Sequence, residues 1–333
     1  MRRAVILVSV AAVLAGCARN NLPELPPAPM GEPAPPPAKM TLREIGPRTL
    51  KVGPAKMYQT PSDAALRATE GDTVIIDAGH YTDCSAWKAN NLTIQSAGDG
   101  DVVIDGPVCD GKGQFIIQGN NVMVRGITFR GAKSPDANGA GIREEGETLT
   151  VENSAFLDGQ DGILATTVRS GTITIRNSRF EDNGFCTPND VHCSHGIYIG
   201  VALLRVEDST FRGHRGGHHI KSRSKRTELT GNTIEDGPNG SSSYLVDIPD
   251  GGSLVMRNNI LEKGPKSENR CCAITIGEES ASNPTDEIVL ESNKFKNDLP
   301  KKVVFLRNLT ATAPQLSGNS FTGHVVPVSN SGN

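Results

Sequence analysis

Aromatic side chains are scarce in this chain, because Phe, Trp and Tyr together make up 4% of its 333 residues. Proteins that bind single-stranded nucleic acid stack bases on surface rings, so this scarcity argues against nucleic acid as a partner. The formal net charge is only −3, and no sign of charge dominates the whole chain. Helical periodicity is almost absent, while 36 glycines favour a fold of short strands and turns.

A hydrophobic run long enough to span a bilayer is also missing. The apolar stretch 4–13 is too short, and it is preceded by Arg2-Arg3 and followed by Leu14-Ala15-Gly16-Cys17. This arrangement resembles a bacterial lipoprotein signal over residues 1–16. The resemblance implies that Cys17 carries a lipid anchor to the membrane. The residue after it, Ala18, stands where an inner-membrane retention signal would have Asp.

The resemblance therefore implies an outer-membrane lipoprotein that faces the periplasm or the cell surface. An ordinary secretory signal cleaved near Ala15 is the alternative. Residues 17–45 are rich in proline and predict an extended tether. The remaining residues, 46–333, are predicted to form one folded domain.

A short pattern repeats along that domain: a β-rich run, a small polar residue, any residue, and a large apolar residue. Successive polar positions lie 24, 31, 23, 27, 34 and 26 residues apart. This period is typical of a solenoid, and the variable spacing favours a β-helix, whose loops bulge at the corners. We predict an all-β, single-stranded right-handed parallel β-helix of nine or ten coils over about residues 73–323. The polar positions, expected in one stacked column, are Ser154, Ser178, Ser209, Asn232, Asn259, Asn293 and Asn319.

A short capping helix is predicted before the first coil. Residues 60–68 begin with Thr-Pro-Ser-Asp and continue with Ala-Ala-Leu-Arg-Ala, and Ser62 is the predicted N-cap. A helix at this place would cover the open end of the solenoid. The first strand is predicted at residues 73–77.

Six cysteines remain when Cys17 is set aside, and their pairing suits an oxidising compartment. The spacing of about one coil between Cys84 and Cys109 predicts a disulfide. Cys186 and Cys193 bracket a long insertion and are expected to bridge it. A bond between the adjacent Cys271 and Cys272 stays open. A metal site of Cys186, His192, Cys193 and His195 is the alternative use of these residues.

Chemistry is predicted on the second strand of each turn. When these strands are aligned on their central apolar residue, Tyr198, Lys221 and Asp247 occupy the same outward position on consecutive coils. Arg223 follows two residues after Lys221, so the four residues are predicted to form one exposed polar patch. A second column, which lies two residues before the apolar position, contains Asp161, His195, His218 and Tyr244. It would point inward as a polar ladder unless a bend turns it outward.

The charge distribution indicates the kind of partner. The stretch 209–227 contains six Lys or Arg residues and three His, and it contains no Asp or Glu. Such a stretch either faces an anionic partner or is a solvated surface. We take an acidic polysaccharide as the predicted partner. The basic residues are Arg212, Arg215, Lys221, Arg223, Lys225 and Arg226.

The motifs at residues 194–200, 217–223, 243–252 and 276–278 resemble a bacterial family of exported right-handed β-helix proteins in the pectate-lyase-like superfamily. The resemblance covers about residues 50–323. A looser resemblance links residues 160–165, the His195 motif and Ile220-Lys221 to polygalacturonases. Gly162 stands where those enzymes have a second carboxylate, and this departure argues against hydrolysis.

Three functions remain open from the sequence. A polysaccharide lyase or epimerase would use cations to neutralise a uronate and other groups to move its protons. A glycoside hydrolase would need two carboxylates, for which Asp161, Asp247 and Glu278 are the candidates. A non-catalytic module would hold an acidic glycan in the envelope. We favour the lyase-type chemistry.

The predicted catalytic residues are His195, Tyr198, His218, Lys221, Arg223 and Asp247. The predicted substrate-binding residues are Asp161, Arg215, His219, Tyr244 and Glu278. No cofactor is predicted, because the sequence contains no Asp cluster that would indicate a Ca²⁺ site; a Ca²⁺ site assembled by carboxylates from separate coils stays open. A monomer is expected.

Overall fold

Three short strands make up each turn of the chain, and each strand pairs in parallel with its equivalent in the next turn. The computed structural model describes residues 46–165, 170–188, 192–280 and 282–330. The predicted signal, Cys17 and the proline-rich tether lie outside these residues. No helix among the described residues has the length and apolar character needed to cross a membrane.

The strands, numbered along the chain, form three parallel sheets in the described residues. The first sheet contains, in stacking order, β1 (Thr49–Val52), β2 (Thr73–Ile76), β5 (Thr93–Ser96), β8 (Val122–Arg125), β11 (Thr148–Glu152), β14 (Thr172–Arg176), β17 (Leu203–Glu207), β20 (Arg226–Thr230), β23 (Ser253–Arg257), β26 (Ile288–Glu291) and β29 (Gln315–Ser317). The second sheet contains β3 (Gly79–Tyr81), β6 (Val102–Asp105), β9 (Ile127–Arg130), β12 (Ala155–Leu157), β15 (Arg179–Glu181), β18 (Thr210–Arg212), β21 (Thr233–Glu235), β24 (Ile260–Lys263), β27 (Lys294–Asn297) and β30 (Ser320–Thr322). The third sheet contains β4 (Ser85–Trp87), β7 (Gly113–Ile117), β10 (Ala140–Glu144), β13 (Asp161–Ala165), β16 (Ile197–Ile199), β19 (His218–Ser222), β22 (Tyr244–Ile248), β25 (Cys272–Ile276), β28 (Val303–Asn308) and β31 (Val325–Ser329).

The core lies between the three sheets and follows from the alternation of side chains along each strand. In β20, for example, Thr227 and Leu229 are buried while the residues on either side are partly exposed. The large apolar residues of the repeat stack in the second sheet. The rings of Phe156 and Phe180 lie 4.7 Å apart, and those of Phe180 and Phe211 lie 4.5 Å apart. The predicted β-helix is thus confirmed.

The polar column of the repeat forms a continuous hydrogen-bonded ladder at the bend before the second sheet. Each backbone amide donates to the side-chain oxygen of the equivalent residue one coil later. The Asn232 amide, for instance, lies 2.9 Å from Asn259 Oδ1. The ladder pairs backbone groups that the bend removes from the sheets. The predicted stacking of all seven residues is confirmed.

The first coil begins earlier than predicted. The first strand is β1 (Thr49–Val52), which pairs in parallel with β2 (Thr73–Ile76), so the strand predicted at 73–77 is the second one. The predicted helix is present as α1 (Pro61–Ala65) and packs against β1 and β4 at the open end.

The N-cap of α1 differs from the prediction. Thr60, not Ser62, caps the helix, because Thr60 Oγ1 accepts a hydrogen bond from the amide of Asp63. The Asp63 carboxylate accepts in return from the Thr60 amide, which completes a capping box. Ser62 lies within the first turn, where its hydroxyl contacts Thr60 Oγ1.

The six cysteines outside residues 1–45 form three disulfides. Cys84 bonds to Cys109 across one coil, and Cys186 bonds to Cys193 across the insertion. The adjacent Cys271 and Cys272 are bonded to each other, which settles the pairing that the sequence left open. Because Cys186 and Cys193 share a disulfide, their sulfurs are not thiolate ligands. The alternative metal site at these residues is therefore wrong.

Candidate active site

The predicted outward column exists on the third sheet. Tyr198 on β16 pairs in register with Lys221 on β19, and Lys221 pairs with Asp247 on β22. Equivalent positions on neighbouring strands lie about 4.8 Å apart, so the three side chains meet on one face. Arg223, just after β19, joins them, because its Nε donates to Tyr198 Oη at 2.7 Å.

This cluster is more buried than an exposed patch would be. The side chain of Lys221 is 11% exposed and that of Asp247 is 4% exposed. The segment after β25 covers them, and its residue Glu279 contacts Lys221 and Arg223. The prediction of an exposed patch is wrong for this reason. The four residues form a network under a loop.

The second column faces the cleft and also forms a hydrogen-bonded ladder. Each amide donates to the side chain one coil before it: His195 to Asp161 Oδ1, His218 to His195 Nδ1, and Tyr244 to His218 Nδ1. The rings of His195 and His218 stack with centroids 4.9 Å apart, and the ring of Tyr244 lies 5.2 Å from that of His218. His195, His218 and Asp161 line the same open cleft as Tyr198 and Lys221, which has a volume of about 430 Å³. The bend before the strand thus brings both predicted columns to one site.

Hydrogen bonds define the tautomers of the two cleft histidines. Burial is the main reason why the pKa values of His195 and His218 lie well below the ordinary value, so both rings are neutral at pH 7. His195 Nδ1 accepts from the amide of His218, and His218 Nδ1 accepts from the amide of Tyr244, both at 3.1 Å. A neutral imidazole whose Nδ1 accepts has its proton on Nε2. Both histidines are therefore Nε2–H donors.

Two cations of the site hold one carboxylate between them. Lys221 Nζ lies 2.9 Å from Glu279 Oε1, while Arg223 Nη2 contacts Glu279 Oε2. Arg223 also donates to Asp250 Oδ1 at 2.6 Å. These contacts lower the pKa of Glu279 despite the opposing effect of burial, and they raise the pKa of Arg223. The arrangement is a carboxylate-binding pair of cations.

Asp247 has the opposite electrostatic environment from Glu279. Burial raises the pKa of Asp247 to about 7, and the nearby Lys221 only partly offsets this effect. Its Oδ2 lies 3.3 Å from His218 Nε2 and 3.5 Å from Lys221 Nζ. Asp247 therefore changes charge near neutral pH while it contacts a histidine and a lysine of the cleft.

Two of the predicted substrate-binding residues lie elsewhere. His219 is fully buried on the inner side of β19, where its Nε2 lies 3.0 Å from Asp236 Oδ1. Arg215 lines a neighbouring cleft of about 560 Å³ beside Phe185, and its guanidinium donates to the carbonyl of Asp182. These placements contradict a direct role for either residue in the cleft. The bend that turns His218 outward sends the next side chain inward.

The remaining three predicted substrate-binding residues lie at or next to the cleft. Asp161 is buried at its wall, and its Oδ1 accepts from the amide of His195 at 2.6 Å. Burial raises the pKa of Asp161 to about 8. The side chain of Tyr244 forms a hydrogen bond with Glu278. Glu278 Oε1 in turn accepts from Arg307 Nη1 at 2.9 Å.

Three residues of the site were missed by sequence reasoning: Asp250, Glu279 and Arg307. Arg307 continues the outward column, since Asp247 pairs with Thr275 and Thr275 pairs with Arg307. The same alignment on the central apolar residue, extended to Leu306, would have found it. Asp250 and Glu279 lie in loops without a counterpart in other coils, so no periodic signal marks them.

The basic stretch 209–227 does not form one basic surface. Arg212 pairs with Glu235 at 2.8 Å, and Arg226 contacts Glu228 and Glu287. Glu228 lies on the same strand as Arg226, whereas Glu235 lies on β21 and Glu287 directly before β26. All three lie outside residues 209–227, so the stretch looks basic only along the sequence. Next to the cleft, the charges of Lys221 and Arg223 are matched by Glu279 and Asp250.

In the described part of the chain, no group of three or more His, Cys, Asp or Glu residues is arranged to hold a metal ion. Residues 74–234 match the family model described as "Right handed beta helix region". This match and the fold confirm the resemblance to right-handed β-helix proteins. No curated protein matches the chain.

Several solved structures are similar in fold. A variant of the PL6-family alginate lyase AlyGC is 17% identical with a TM-score of 0.41, over 83% of this chain and 40% of that chain. A tailspike protein from Acinetobacter baumannii bacteriophage Fri1, described as a capsular polysaccharide depolymerase, is 13% identical with a TM-score of 0.38, over 85% of this chain and 62% of that chain. A PL6 alginate lyase in complex with a trisaccharide is 13% identical with a TM-score of 0.31, over 78% of this chain and 80% of that chain. At this level of similarity, the activities of these proteins do not define one for this chain.

Proposed function

We propose that this right-handed β-helix protein acts on an acidic polysaccharide by lyase-type chemistry, either β-elimination or epimerisation. The observation that supports the proposal is the carboxylate of Glu279, bound through both oxygens by Lys221 and Arg223. A uronate carboxylate has the same shape and charge. Two cations on that carboxylate would acidify the adjacent C5 proton, which is the first requirement of both reactions.

The residues around the carboxylate site supply the proton transfers. Tyr198 Oη accepts from Arg223 Nε at 2.7 Å, which holds the phenol oxygen beside the carboxylate site, where Tyr198 acting as a base would remove the C5 proton. Tyr198 would then pass the C5 proton on to the leaving glycosidic oxygen, while the neutral His195 and His218, which face the cleft with Nε2 protonated, are suited to donate hydrogen bonds to the sugar oxygens. Asp247 Oδ2 lies 3.3 Å from His218 Nε2 and is placed to orient its ring.

Glycoside hydrolysis is the second candidate, and one observation favours it. Asp247 and Glu279 both lie within 3.5 Å of Lys221 Nζ, yet the pKa of Asp247 is raised to about 7 and that of Glu279 is lowered. A protonated and an ionised carboxyl in one site are the two groups that a glycosidase needs. In this case Asp247 would be the acid and Glu279 the base or nucleophile.

The test uses the purified protein on a panel of acidic polysaccharides that includes pectate and alginate. Unsaturated products that absorb in the ultraviolet, together with new reducing ends, indicate β-elimination. New reducing ends alone indicate hydrolysis, and a change in uronate stereochemistry by NMR indicates epimerisation. If none of these changes occurs and the protein still binds the glycan, the result contradicts an enzymatic function and favours a binding module.

Variants link any activity to the site. Lys221→Ala and Tyr198→Phe should each lower kcat by about 10²–10⁴-fold, the usual scale for a lost charge or proton-transfer group. Lys225→Ala is the matched control, because Lys225 is an exposed cation of the same stretch that does not line the cleft. Equal activity in all three variants would place the active site elsewhere.

A further inference from the structure

A short acidic segment crosses the outward column beyond the candidate active site. Residues 277–280 follow β25 directly, and we name them the acidic strap. Its two consecutive carboxylates each contact cations: Glu279 contacts Lys221 and Arg223, and Glu278 contacts Arg307. Three cations from two strands of the third sheet, Lys221 and Arg223 at the end of β19 and Arg307 on β28, are thus matched by two neighbouring residues.

The backbone of the acidic strap is held in place, whereas its carboxylates are accessible. The amide of Gly277 donates to the Ile248 carbonyl at 2.9 Å, and the amides of Glu279 and Ser280 both donate to the Pro249 carbonyl at 3.0 Å. Gly277 has a φ of 81°, which turns the chain out of β25 at a position that favours glycine. The side chains of Glu278 and Glu279 are nevertheless 32% and 47% exposed. A ligand could therefore displace the carboxylates without unfolding the strap.

Arg307 is a second carboxylate site beside the first. Its side chain is only 8% exposed, and its Nη1 lies 2.9 Å from Glu278 Oε1. A nearly buried cation requires an anionic partner, and here that partner lies on a half-exposed segment. Lys221 and Arg307 lie three coils apart in the outward column, which is about 14 Å at about 4.8 Å per coil, so the two sites suit carboxylates on different units of one polymer.

Unsatisfied polar atoms lie in the same part of the column. Asp247 Oδ1, Thr275 Oγ1 and Arg307 Nε are buried and have no hydrogen-bond partner among the described residues. These three residues are register neighbours on β22, β25 and β28. An unsatisfied buried polar atom costs about 1–3 kcal/mol. Hydroxyl groups of a bound sugar would supply the missing donors and acceptors.

We propose that Arg307 forms a second carboxylate-binding subsite next to Lys221 and Arg223, and that Glu278 and Glu279 occupy both subsites as internal competitors. The ligand class is an oligosaccharide with carboxylates on separate sugars. The identity of the ligand rests on the proposed function, in that the site takes an acidic glycan. The competition by the strap and the role of Arg307 do not depend on turnover.

The first test measures binding by calorimetry with trimers of galacturonate and of mannuronate. Glu279→Gln and Glu278→Gln keep the size of the side chain and remove the competing charge. If the strap fills the site nine-tenths of the time, each variant should bind the trimer about tenfold more tightly than the parent chain. High salt should reduce this gain, because screening weakens the competing contacts.

Glu291→Gln is the matched control. Glu291 pairs with Arg257 at 3.0 Å in the first sheet, and its side chain is 47% exposed, as is that of Glu279. The Glu291→Gln substitution removes the same charge from the chain but should leave trimer affinity unchanged. Weaker binding in the strap variants, equal gains in all three variants, or no binding of any trimer to the Glu278→Gln, Glu279→Gln double variant would each overturn the proposal.

The second test separates the two subsites. Arg307→Gln should weaken binding of a uronate trimer about tenfold or more and leave binding of the monomer unchanged, because one carboxylate fills only the Lys221 and Arg223 subsite. Arg257→Gln is its control. Equal losses for monomer and trimer would contradict a second subsite.

These outcomes are independent of catalysis. Tighter binding in the strap variants without any product would support the subsites and contradict the lyase. A loss of hydrolytic turnover in Glu279→Gln without tighter binding would identify Glu279 as a catalytic residue and overturn its role as a competitor.

Discussion

Asp247 and Glu279 contact the same ammonium group of Lys221, but their surroundings move their pKa values in opposite directions. Glu279 lies on the half-exposed acidic strap and contacts two cations, whereas Asp247 is buried within the outward column and contacts one. Burial thus outweighs the single long contact of Asp247 with Lys221. The protonation state of Asp247 is the part of the site most sensitive to pH near neutrality.

A pH dependence of activity follows from Asp247. Its pKa is raised to about 7, so the ionised form that orients His218 is present above pH 7 and is lost as pH falls through that value. We expect kcat/KM to rise with pH up to about 7 and to level off above it. Asp247→Asn should lower the level that kcat/KM reaches above pH 7 and remove its rise below pH 7. If the rise of kcat/KM persists unchanged in the variant, it is caused by another group.

A second pH effect concerns stability and originates far from the cleft. Burial raises the pKa of Glu144 to about 8 from an ordinary value of 4.5. The folded chain therefore binds this proton more tightly than the unfolded chain. The free energy of unfolding should fall as pH rises from about 4.5 to about 8, by about 2–5 kcal/mol, and then stay level.

Chemical denaturation at several pH values measures this effect. Glu144→Gln should make the decline shallower, because the amide does not titrate, while Asp161 and Asp247, whose pKa values are also raised by burial, still contribute. Glu147→Gln is the control, since Glu147 is exposed three residues away. The same decline in both variants would show that Glu144 does not cause it.

At the scale of strands and ladders, the fold was predictable because each coil repeats one local rule. In each coil a polar residue forms hydrogen bonds at the bend, and the second residue after it is apolar and packs inward. The same rule placed Ser154 and Asn319 in one column. The alignment of strands likewise placed Tyr198, Lys221 and Asp247 together. Glu278 was among the predicted substrate-binding residues, but the contacts of Glu279 with Lys221 and Arg223 were not predictable, because Glu279 lies in a loop outside the aligned strands. The outward turn of His195 depends on the bend geometry, which the alternation of residues does not encode.

The ladder gives a prediction at the same scale. Asn259 is fully buried, accepts from the Asn232 amide at 2.9 Å and donates to the Leu229 carbonyl at 2.9 Å. Asn259→Ala would leave both backbone groups unpaired, and we expect a loss of about 2–4 kcal/mol in the free energy of unfolding. Asn259→Ser should cost less, because Ser209 fills the same position one coil away from Asn232 and accepts from the backbone.

Denaturant titration of these two variants checks the order of stability. Asn239→Ala is the control, because Asn239 is exposed and its amide oxygen contacts only the exposed Lys266 in the described structure. A cost for Asn259→Ala no larger than that of the control would show that the ladder does not stabilise the solenoid.

At the scale of the whole molecule, the solenoid brings distant parts of the sequence into one line. The outward column of the third sheet passes from Arg143 through Lys221 to Arg307, one residue per coil. A linear polymer laid along this face would contact successive coils about every 4.8 Å. The candidate site lies in the middle coils of this face, so glycan on either side of it would still lie against the protein.

The cellular location of this surface depends on Cys17, and we propose that a lipid on this residue anchors the protein to the outer membrane. If so, Cys17→Ser should move the protein from the membrane fraction to the soluble periplasmic fraction, because lipidation at this cysteine is the proposed anchor. Ala18→Asp is the informative companion variant, since it keeps the lipid but introduces an inner-membrane retention signal. We expect that variant to fractionate with the inner membrane in a density gradient. Unchanged outer-membrane fractionation of Cys17→Ser would contradict the lipid anchor, whereas correct release of Cys17→Ser without any shift in Ala18→Asp would contradict only the assignment of the membrane.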